Sequence, residues 1–188
     1  EKNKINLVYL SNIISSKGIF ELIDAFEVLS KTHENIHLSI AGGYIADEYL
    51  SIDKVRKKFE QKISLSNRIT YTGKIFEREK VALLQKSDIF VLPSYYKSEA
   101  FPISIIEAMT CGNAIVTTDY KYLPEVVNEK NGVLVEIKSV ESLVKGIESL
   151  LNNIEKLRKV QNFNKVEAQN KYSLNQYLKN LNEIVMEK

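Results

Sequence analysis

Two patterns of apolar residues alternate along the chain. Short apolar runs, typical of buried strands, are separated by segments in which apolar residues recur every three or four positions, as in amphipathic helices. The runs predict strands over residues 5–10, 36–41, 69–72, 88–93, 114–117 and 132–135. The periodic segments predict helices over 17–29, 46–63, 77–85, 102–111, 140–152, 154–168 and 174–186, with a helical turn at 123–125.

This alternation of strands and helices predicts an α/β fold. We expect a single domain over residues 1–188, Rossmann-like and doubly wound, with a mainly parallel six-stranded sheet, helices on both faces and C-terminal helices. Such sheets bind ligands beyond the carboxyl ends of their strands. Four loops follow strands at that edge, at residues 11–17, 42–43, 73–76 and 94–101. We expect one site to be built from all four.

Composition narrows the choice of partners. The 188 residues are 44% hydrophobic, which suffices for a core, and 26 Lys and Arg against 24 Asp and Glu leave a net charge of only +2. This balance gives no argument for nucleic acid or an anionic membrane as the main partner. The single cysteine, Cys111, excludes an internal disulfide. The sequence begins at Glu1 and runs almost at once into a strand, so we expect a piece excised from something longer.

The candidate chemistry lies around the helix predicted to begin at Pro102. Glu99 precedes this helix and Glu107, its only charged residue, lies within it. The free N–H groups of a first helical turn favour an anion such as phosphate, and carboxylates accept hydrogen bonds from hydroxyl groups. Together they suit a sugar joined to a nucleotide through a diphosphate. The competing interpretation is ordinary: one glutamate in a solvated loop or cap, the other half exposed or paired with a cation.

The surrounding motifs resemble a known family. They are residues 87–94, 99–102, 107–109, 111–112, 124–125 and 131–135, preceded by 16–18 and 71–74. In this order and spacing they resemble the C-terminal, nucleotide-sugar-binding domain of GT-B fold glycosyltransferases, close to the family-4 retaining group. The resemblance covers essentially the whole chain.

The resemblance implies roles for individual residues. It implies two catalytic residues: Glu99 beside the donor sugar, and Lys17 facing the diphosphate, where it would stabilise the departing nucleotide. Glu107 would hold the ribose hydroxyls. The other implied donor-binding residues are Asn12, the base-contacting Gly73, Lys74 and Ile75, and the helix-start residues Ala100, Phe101, Pro102, Ile103 and Ser104.

For several of these residues, a purely structural role is an alternative to the functional role that the resemblance implies. Lys17 could be a solvated lysine at a helix start, although a cation there opposes the helix dipole. Ile75 could cover the face of the base or belong to the core. Gly42 and Gly43 allow close backbone approach, or they form an ordinary turn at a strand end.

The sequence departs from the family pattern in two places. The family usually has Gly-Arg after the first strand, where this chain has Ser11-Asn12. Asn12 can donate a hydrogen bond but brings no charge to a diphosphate. The family also often has Gly-Gly in the region where Lys121 and Tyr122 stand. Lys121 either supplies the missing charge or is a surface lysine.

The resemblance also implies a whole enzyme. We expect a hexosyltransferase that moves a sugar from a nucleotide diphosphate donor, UDP-linked by default, to an acceptor hydroxyl with retention, in polysaccharide or glycolipid synthesis. The family uses no metal or other cofactor, and the chain has no Asp-x-Asp motif. We expect a cytoplasmic protein, with the full enzyme peripherally associated with the inner face of the membrane.

The partner expected inside the full-length protein is an N-terminal acceptor domain, without which this domain would be inactive. The last predicted helix, 174–186, resembles the one that packs back on that domain. Left uncovered, its apolar stripe would promote a homodimer. Two other functions remain open: a non-catalytic nucleotide-sugar-binding or interaction module, and half of a non-hydrolysing nucleotide-sugar epimerase.

Overall fold

A single six-stranded sheet forms the centre of the molecule. The computed structural model describes residues 4–100 and 102–186. The strands are β1 Ile5–Leu10, β2 Ile36–Ala41, β3 Ile69–Tyr71, β4 Ile89–Leu92, β5 Ala114–Thr118 and β6 Gly132–Val135. They lie in the order β3-β2-β1-β4-β5-β6, and every pairing in the described chain is parallel. The predicted Rossmann-like fold is confirmed.

Helices cover the sheet in two layers. They are α1 Ile19–Thr32, α2 Ile52–Ile63, α3 Glu77–Gln85, α4 Ile103–Thr110, α5 Leu123–Val126, α6 Val140–Leu151, α7 Ile154–Tyr172 and α8 Leu174–Met186. α1 packs against α6 and, less extensively, α2, whereas α4 packs against α7 and α3. A 3₁₀ turn, Ser15–Lys17, precedes α1. Within the described residues, no helix is both long and apolar enough to cross a membrane.

Strand order decides where a ligand can enter. β1 and β4 are neighbours at the centre of the sheet, and the chain winds outward from them in opposite directions. The crossovers on either side diverge there and leave a crevice at the carboxyl ends of the two strands. All four residues of β4 are buried, as are Leu7 to Leu10 of β1, so this central pair provides a rigid base for the loops above it.

Three helix starts differ from the sequence prediction. α1 begins at Ile19 rather than at residue 17, because Gly18, with a φ of 74°, separates it from the preceding 3₁₀ turn. α2 begins at Ile52 rather than at residue 46, because the Asp47 carboxylate accepts the N–H groups of Tyr49 and Leu50 and holds the preceding segment as a loop. α4 begins at Ile103 rather than at Pro102, whose extended ψ of 97° places it just outside the helix. α7 continues to Tyr172, four residues beyond its predicted end.

α8 presents apolar side chains to solvent. Leu174, Tyr177 and Leu178 are 70%, 62% and 47% exposed. An exposed stripe of this kind is typical of a helix that is covered by something else.

Candidate active site

A cleft of about 450 Å³ opens at the carboxyl edge of the sheet. Its walls come from the loops after β1, β2 and β3 and from helices α3 and α4. The lining residues are Leu10, Ser11, Asn12, Ala41, Gly42, Gly43, Lys74, Ile75, Phe76, Lys80, Ser104 and Glu107. The cleft therefore lies beside the point where strand order reverses, as the doubly wound fold predicts.

Two consecutive glycines allow the loops on one side of the cleft to approach each other. A Cβ on Gly42, whose φ is 154°, would lie 1.9 Å from the Ser11 carbonyl oxygen. A Cβ on Gly43 would lie 2.1 Å from Cε of Lys74. A side chain on Gly42 would therefore force the loops after β1 and β2 apart, whereas one on Gly43 would displace the flexible side chain of Lys74. Both interpretations of the pair therefore hold: it ends β2, and it permits close approach at the cleft wall.

A buried tyrosine fixes the loop that carries Asn12. The Tyr9 hydroxyl donates to the Asn12 carbonyl oxygen at 2.8 Å, and Tyr9 is fully buried. Burial raises the pKa of Tyr9 far above its ordinary value, so its hydroxyl stays protonated and continues to donate. The Asn12 side chain is exposed and lines the cleft, so a short neutral amide stands where the family has a cation.

Glu107 projects into the cleft beside a lysine. Its Oε1 accepts a hydrogen bond from Lys80 Nζ at 2.5 Å, and the two side chains are 34% and 31% exposed. Lys80 comes from α3 and Glu107 from α4, so the pair joins two helices across the cleft. Both residues remain accessible to a ligand.

Glu99 has a different environment. It is only 6% exposed, and its Oε2 accepts hydrogen bonds from Lys17 Nζ at 2.7 Å and from the Ser94 hydroxyl at 2.5 Å. The Lys17 ammonium also lies 5.0 Å from the centre of the Tyr96 ring. The structure thus holds Lys17 and Glu99 together as a buried pair, and neither is among the residues lining the cleft.

The turn that carries Lys17 is held by a carboxylate from a distant loop. Asp47 Oδ2 accepts both the N–H and the hydroxyl of Ser16 at 2.7 Å. Burial by itself raises the pKa of Asp47, but hydrogen bonds from Ser16 and from two loop N–H groups outweigh it and lower that pKa below its ordinary value. The Ser16 carbonyl accepts the N–H of Tyr95 at 2.8 Å, which ties the same turn to the loop of Glu99.

The start of α4 leaves its first N–H groups uncapped by any described side chain. The Pro102 carbonyl accepts the N–H of Ile105 at 3.0 Å, which closes the first turn. Ile103 is 69% exposed, Ser104 lines the cleft and Ala100 is exposed. Pro102 is buried, and Phe101 lies outside the described residues. This helix start can accept an anion from the solvent side.

The predicted site residues divide into those at the cleft, the pair Lys17 and Glu99, and three helix-start residues, Ala100, Pro102 and Ile103, that are not among the residues lining the cleft. Asn12, Lys74, Ile75, Ser104 and Glu107 line one cleft; Gly73, with a φ of 73°, forms the turn before Lys74. Lys17 and Glu99 form the buried pair beside that cleft. Lys121 is exposed and donates from Nζ to the carbonyl of Lys97, so its charge lies on the neighbouring loop.

Three residues with a part in this geometry were missed from the sequence: Lys80, Ser94 and Asp47. Ser94 follows a strand at the binding edge, which was a usable signal, since the loop it begins was already predicted to belong to the site. The sequence gives no comparable signal for Lys80 or Asp47. Each stands among other charged residues, and its role depends on contacts with distant parts of the chain.

Other reactive groups fit structural roles better than catalysis. Burial raises the pKa of the Cys111 thiol, and the charge of Glu107 adds to this effect, so the fraction present as thiolate falls. In the described ranges 4–100 and 102–186, no group of three or more His, Cys, Asp or Glu could hold a metal ion.

Comparison with curated proteins gives consistent relatives. The chain is 32% identical over 143 residues to an uncharacterized glycosyltransferase of Methanocaldococcus jannaschii, covering 76% of this chain and 35% of that protein. It is 33% identical over 138 residues to a glycogen synthase of Mycobacterium tuberculosis, covering 73% of this chain and 31% of the relative. The chain thus spans about a third of the length of these relatives.

Solved structures share the fold. A C-terminal domain of a group 1 glycosyl transferase from Francisella tularensis matches with a TM-score of 0.74 and 25% identity, covering 92% of this chain and 88% of that one. Anabaena HepE, crystallised with UDP, matches with a TM-score of 0.84 and 22% identity, covering 99% of this chain and 50% of that one.

Residues 1–166 match the family described as glycosyl transferases group 1. The chain therefore belongs to this glycosyltransferase family and has the fold of a GT-B C-terminal domain.

Proposed function

We propose that this chain is the donor-binding domain of a retaining glycosyltransferase that uses a UDP-linked sugar. The observation that carries the proposal is the cleft at the strand-order reversal, which combines the Glu107 carboxylate with the uncapped start of α4. A carboxylate accepts hydrogen bonds from the ribose hydroxyls, and helix-start N–H groups donate hydrogen bonds to a phosphate. The structures of Anabaena HepE with UDP and with UDP-glucose support this choice of donor by analogy.

Lys17 and Glu99 would act at the sugar end. Transfer breaks the bond between the anomeric carbon and the diphosphate oxygen and forms a bond between that carbon and the acceptor hydroxyl oxygen. The departing UDP takes the electron pair as added negative charge, and the proton of the acceptor hydroxyl passes to its phosphate oxygen. A fixed ammonium near that charge lowers the barrier. Lys17 is held by Glu99 and by the Asp47-braced turn, so its position is set before the donor arrives. Lys74 supplies a further cation at the cleft wall.

The whole enzyme's features belong to the same proposal. The whole enzyme would transfer a hexose to an acceptor hydroxyl with retention of the anomeric configuration. It would serve polysaccharide or glycolipid synthesis and act in the cytoplasm, at the inner face of the membrane. An N-terminal acceptor domain would cover the exposed stripe of α8, and this chain alone would be inactive and could dimerise through that stripe. No metal or other cofactor is required in this scheme.

Calorimetric titration of the chain with UDP, GDP and ADP tests the donor site. We expect saturable binding of UDP and weaker binding of the other two. Glu107→Gln should weaken UDP binding about tenfold, because the neutral amide loses a charge-assisted hydrogen bond. Glu141→Gln is the matched control, since Glu141 is paired with Lys145 on α6, outside the cleft lining, and should leave affinity unchanged.

A folded wild-type chain that binds none of the three nucleotides would contradict the donor role and favour an interaction module. Retention is tested with the full-length protein, by determining the anomeric configuration of the product by NMR. An inverted product would overturn that part of the proposal, and an epimerised nucleotide sugar released without transfer would identify an epimerase.

A further inference from the structure

Lys80 and Glu107 stand at the boundary between two cavities. Both line the donor cleft, and both also line a neighbouring groove of about 550 Å³ between α3, α4 and α7. The other walls of that groove are largely apolar and include Val81, Leu84 and Ile106. Gln85, Thr110 and Lys165 also line the groove, but among the described residues the hydrogen bond to the Glu107 carboxylate comes from Lys80.

The ion pair between them has little value for stability. Both side chains are about one-third exposed, and solvent-exposed ion pairs of this kind contribute little to stability. Its consequence is geometric. A glutamate has several rotamers of similar energy, and a bond from Lys80 to Oε1 selects one of them. The remaining oxygen, Oε2, keeps its full capacity to accept hydrogen bonds.

We propose that Lys80 is a positioning residue for the nucleotide ribose, holding Oε1 of Glu107 so that the carboxylate presents its free lone pairs to the ribose hydroxyls. This rests on the proposed function, which assigns Glu107 to the ribose. Fixing the rotamer in advance removes an entropic cost that binding would otherwise carry. Lys80 itself need not contact the nucleotide, because its effect passes through Glu107.

The test compares UDP with 2′-deoxy-UDP, which lacks one of the two ribose hydroxyls. In calorimetry at 0.15 M salt, Lys80→Met should weaken UDP binding about five- to tenfold and 2′-deoxy-UDP binding less than twofold. At this salt the screening length is about 8 Å, which reduces any charge effect on the more distant phosphates. Lys80→Arg should remain within about twofold of wild type, because it can still donate to Glu107.

Two controls isolate the mechanism. Lys145→Met removes the lysine of a chemically matched pair on α6, with Nζ and Oε1 2.6 Å apart, and should leave both affinities unchanged. In a Glu107→Gln background, Lys80→Met should cause less than a twofold further loss, since the group it positions has already been altered.

Other outcomes overturn the inference. An equal loss for UDP and 2′-deoxy-UDP would make Lys80 a phosphate ligand, and unchanged UDP binding would remove any positioning role. A Lys80→Met protein that fails to fold would show that the pair is structural, which also contradicts the inference. Failure of wild type to bind UDP is a separate result, because it contradicts the proposed function itself.

Discussion

Glu99 and Glu107 carry the same carboxylate in very different surroundings. Glu99 is 6% exposed and receives hydrogen bonds from Lys17 and Ser94, whereas Glu107 is 34% exposed and accessible from the cleft. A buried carboxylate depends on its cation, because an unpaired charge in a poorly solvated site is costly. Lys17 therefore has a structural role, as the cation that neutralises Glu99, in addition to any catalytic role.

From this structural role we predict how removing the Lys17 ammonium changes stability. Lys17→Met should lower the free energy of unfolding by about 3 kcal/mol, since it leaves Glu99 buried without its cation. The double variant Lys17→Met/Glu99→Gln should recover much of that loss. Urea unfolding of the three proteins measures both values. If the single variant is as stable as wild type, the buried pair is not a coupled unit.

The Asp47 carboxylate makes stability dependent on pH. Because its pKa is lower in the folded chain than the ordinary value near 3.8, its contribution is fully present above pH 3.8. That contribution is lost as pH falls through the folded pKa. Asp47→Asn should cost about 1 kcal/mol near pH 7, since the amide replaces a charged acceptor of several hydrogen bonds at a partly exposed site.

Denaturant unfolding between pH 7 and pH 3 measures this dependence. The difference in unfolding free energy between wild type and Asp47→Asn should be constant above about pH 5 and shrink as pH falls below 3.8. A difference that stays the same down to pH 3 would mean that the charge of Asp47 contributes nothing.

At the scale of elements, a comparison of two glycines with nearly the same φ separates the cost of backbone strain from the cost of a steric clash. Gly18 and Gly73 have φ of 74° and 73°. A Cβ on Gly18 would lie 2.1 Å from the Pro93 carbonyl oxygen, whereas a Cβ on Gly73 would have nothing within 4 Å. The turn into α1 therefore needs glycine for space as well as for conformation.

Alanine at each position should have unequal effects. Gly73→Ala should cost about 1 kcal/mol, the ordinary price of a left-handed alanine. Gly18→Ala should cost at least about 3 kcal/mol, because the turn into α1 must also move away from the Pro93 backbone that follows β4. Thermal unfolding of both variants gives the comparison. Equal losses would show that the contact with Pro93 relaxes freely.

The elements themselves were largely predictable. The apolar runs located all six strands to within a residue or so at each end, because strands buried on both faces need continuous apolar residues. The start of α2 was not predictable, because helical periodicity extends back to residue 46. Asp47 holds that segment as a loop by accepting the N–H groups of Tyr49 and Leu50. Its carboxylate is also fixed by Ser16, 31 positions away in sequence, and this contact cannot be inferred from the local pattern.

At the scale of the whole molecule, α7 is attached to the sheet by a buried amide. Asn164 is fully buried, and its Nδ2 donates to the carbonyl oxygens of Asn113 at 2.6 Å and Asn131 at 2.8 Å. These carbonyls lie just before β5 and β6. In a segment rich in Asn and Lys, the sequence gives no sign that this asparagine is internal.

Asn164→Ala should destabilise the protein by about 2 to 3 kcal/mol, since it removes two buried hydrogen bonds and leaves a small cavity. For a chain of this size the melting temperature should fall by about 5 to 10 °C. Asn162→Ala, at an exposed position on the same helix, should change it little. Similar melting temperatures for the two variants would contradict the attachment.

The sequence by itself determined the fold class and the family, because these depend on local periodicity and on motifs contiguous in the chain. Tertiary structure decided which charges meet. Lys17 joins Glu99 across 82 positions and Lys80 joins Glu107 across 27. Such pairings depend on how helices and loops pack over the sheet. The sequence around a charged residue does not indicate which distant residue this packing places beside it.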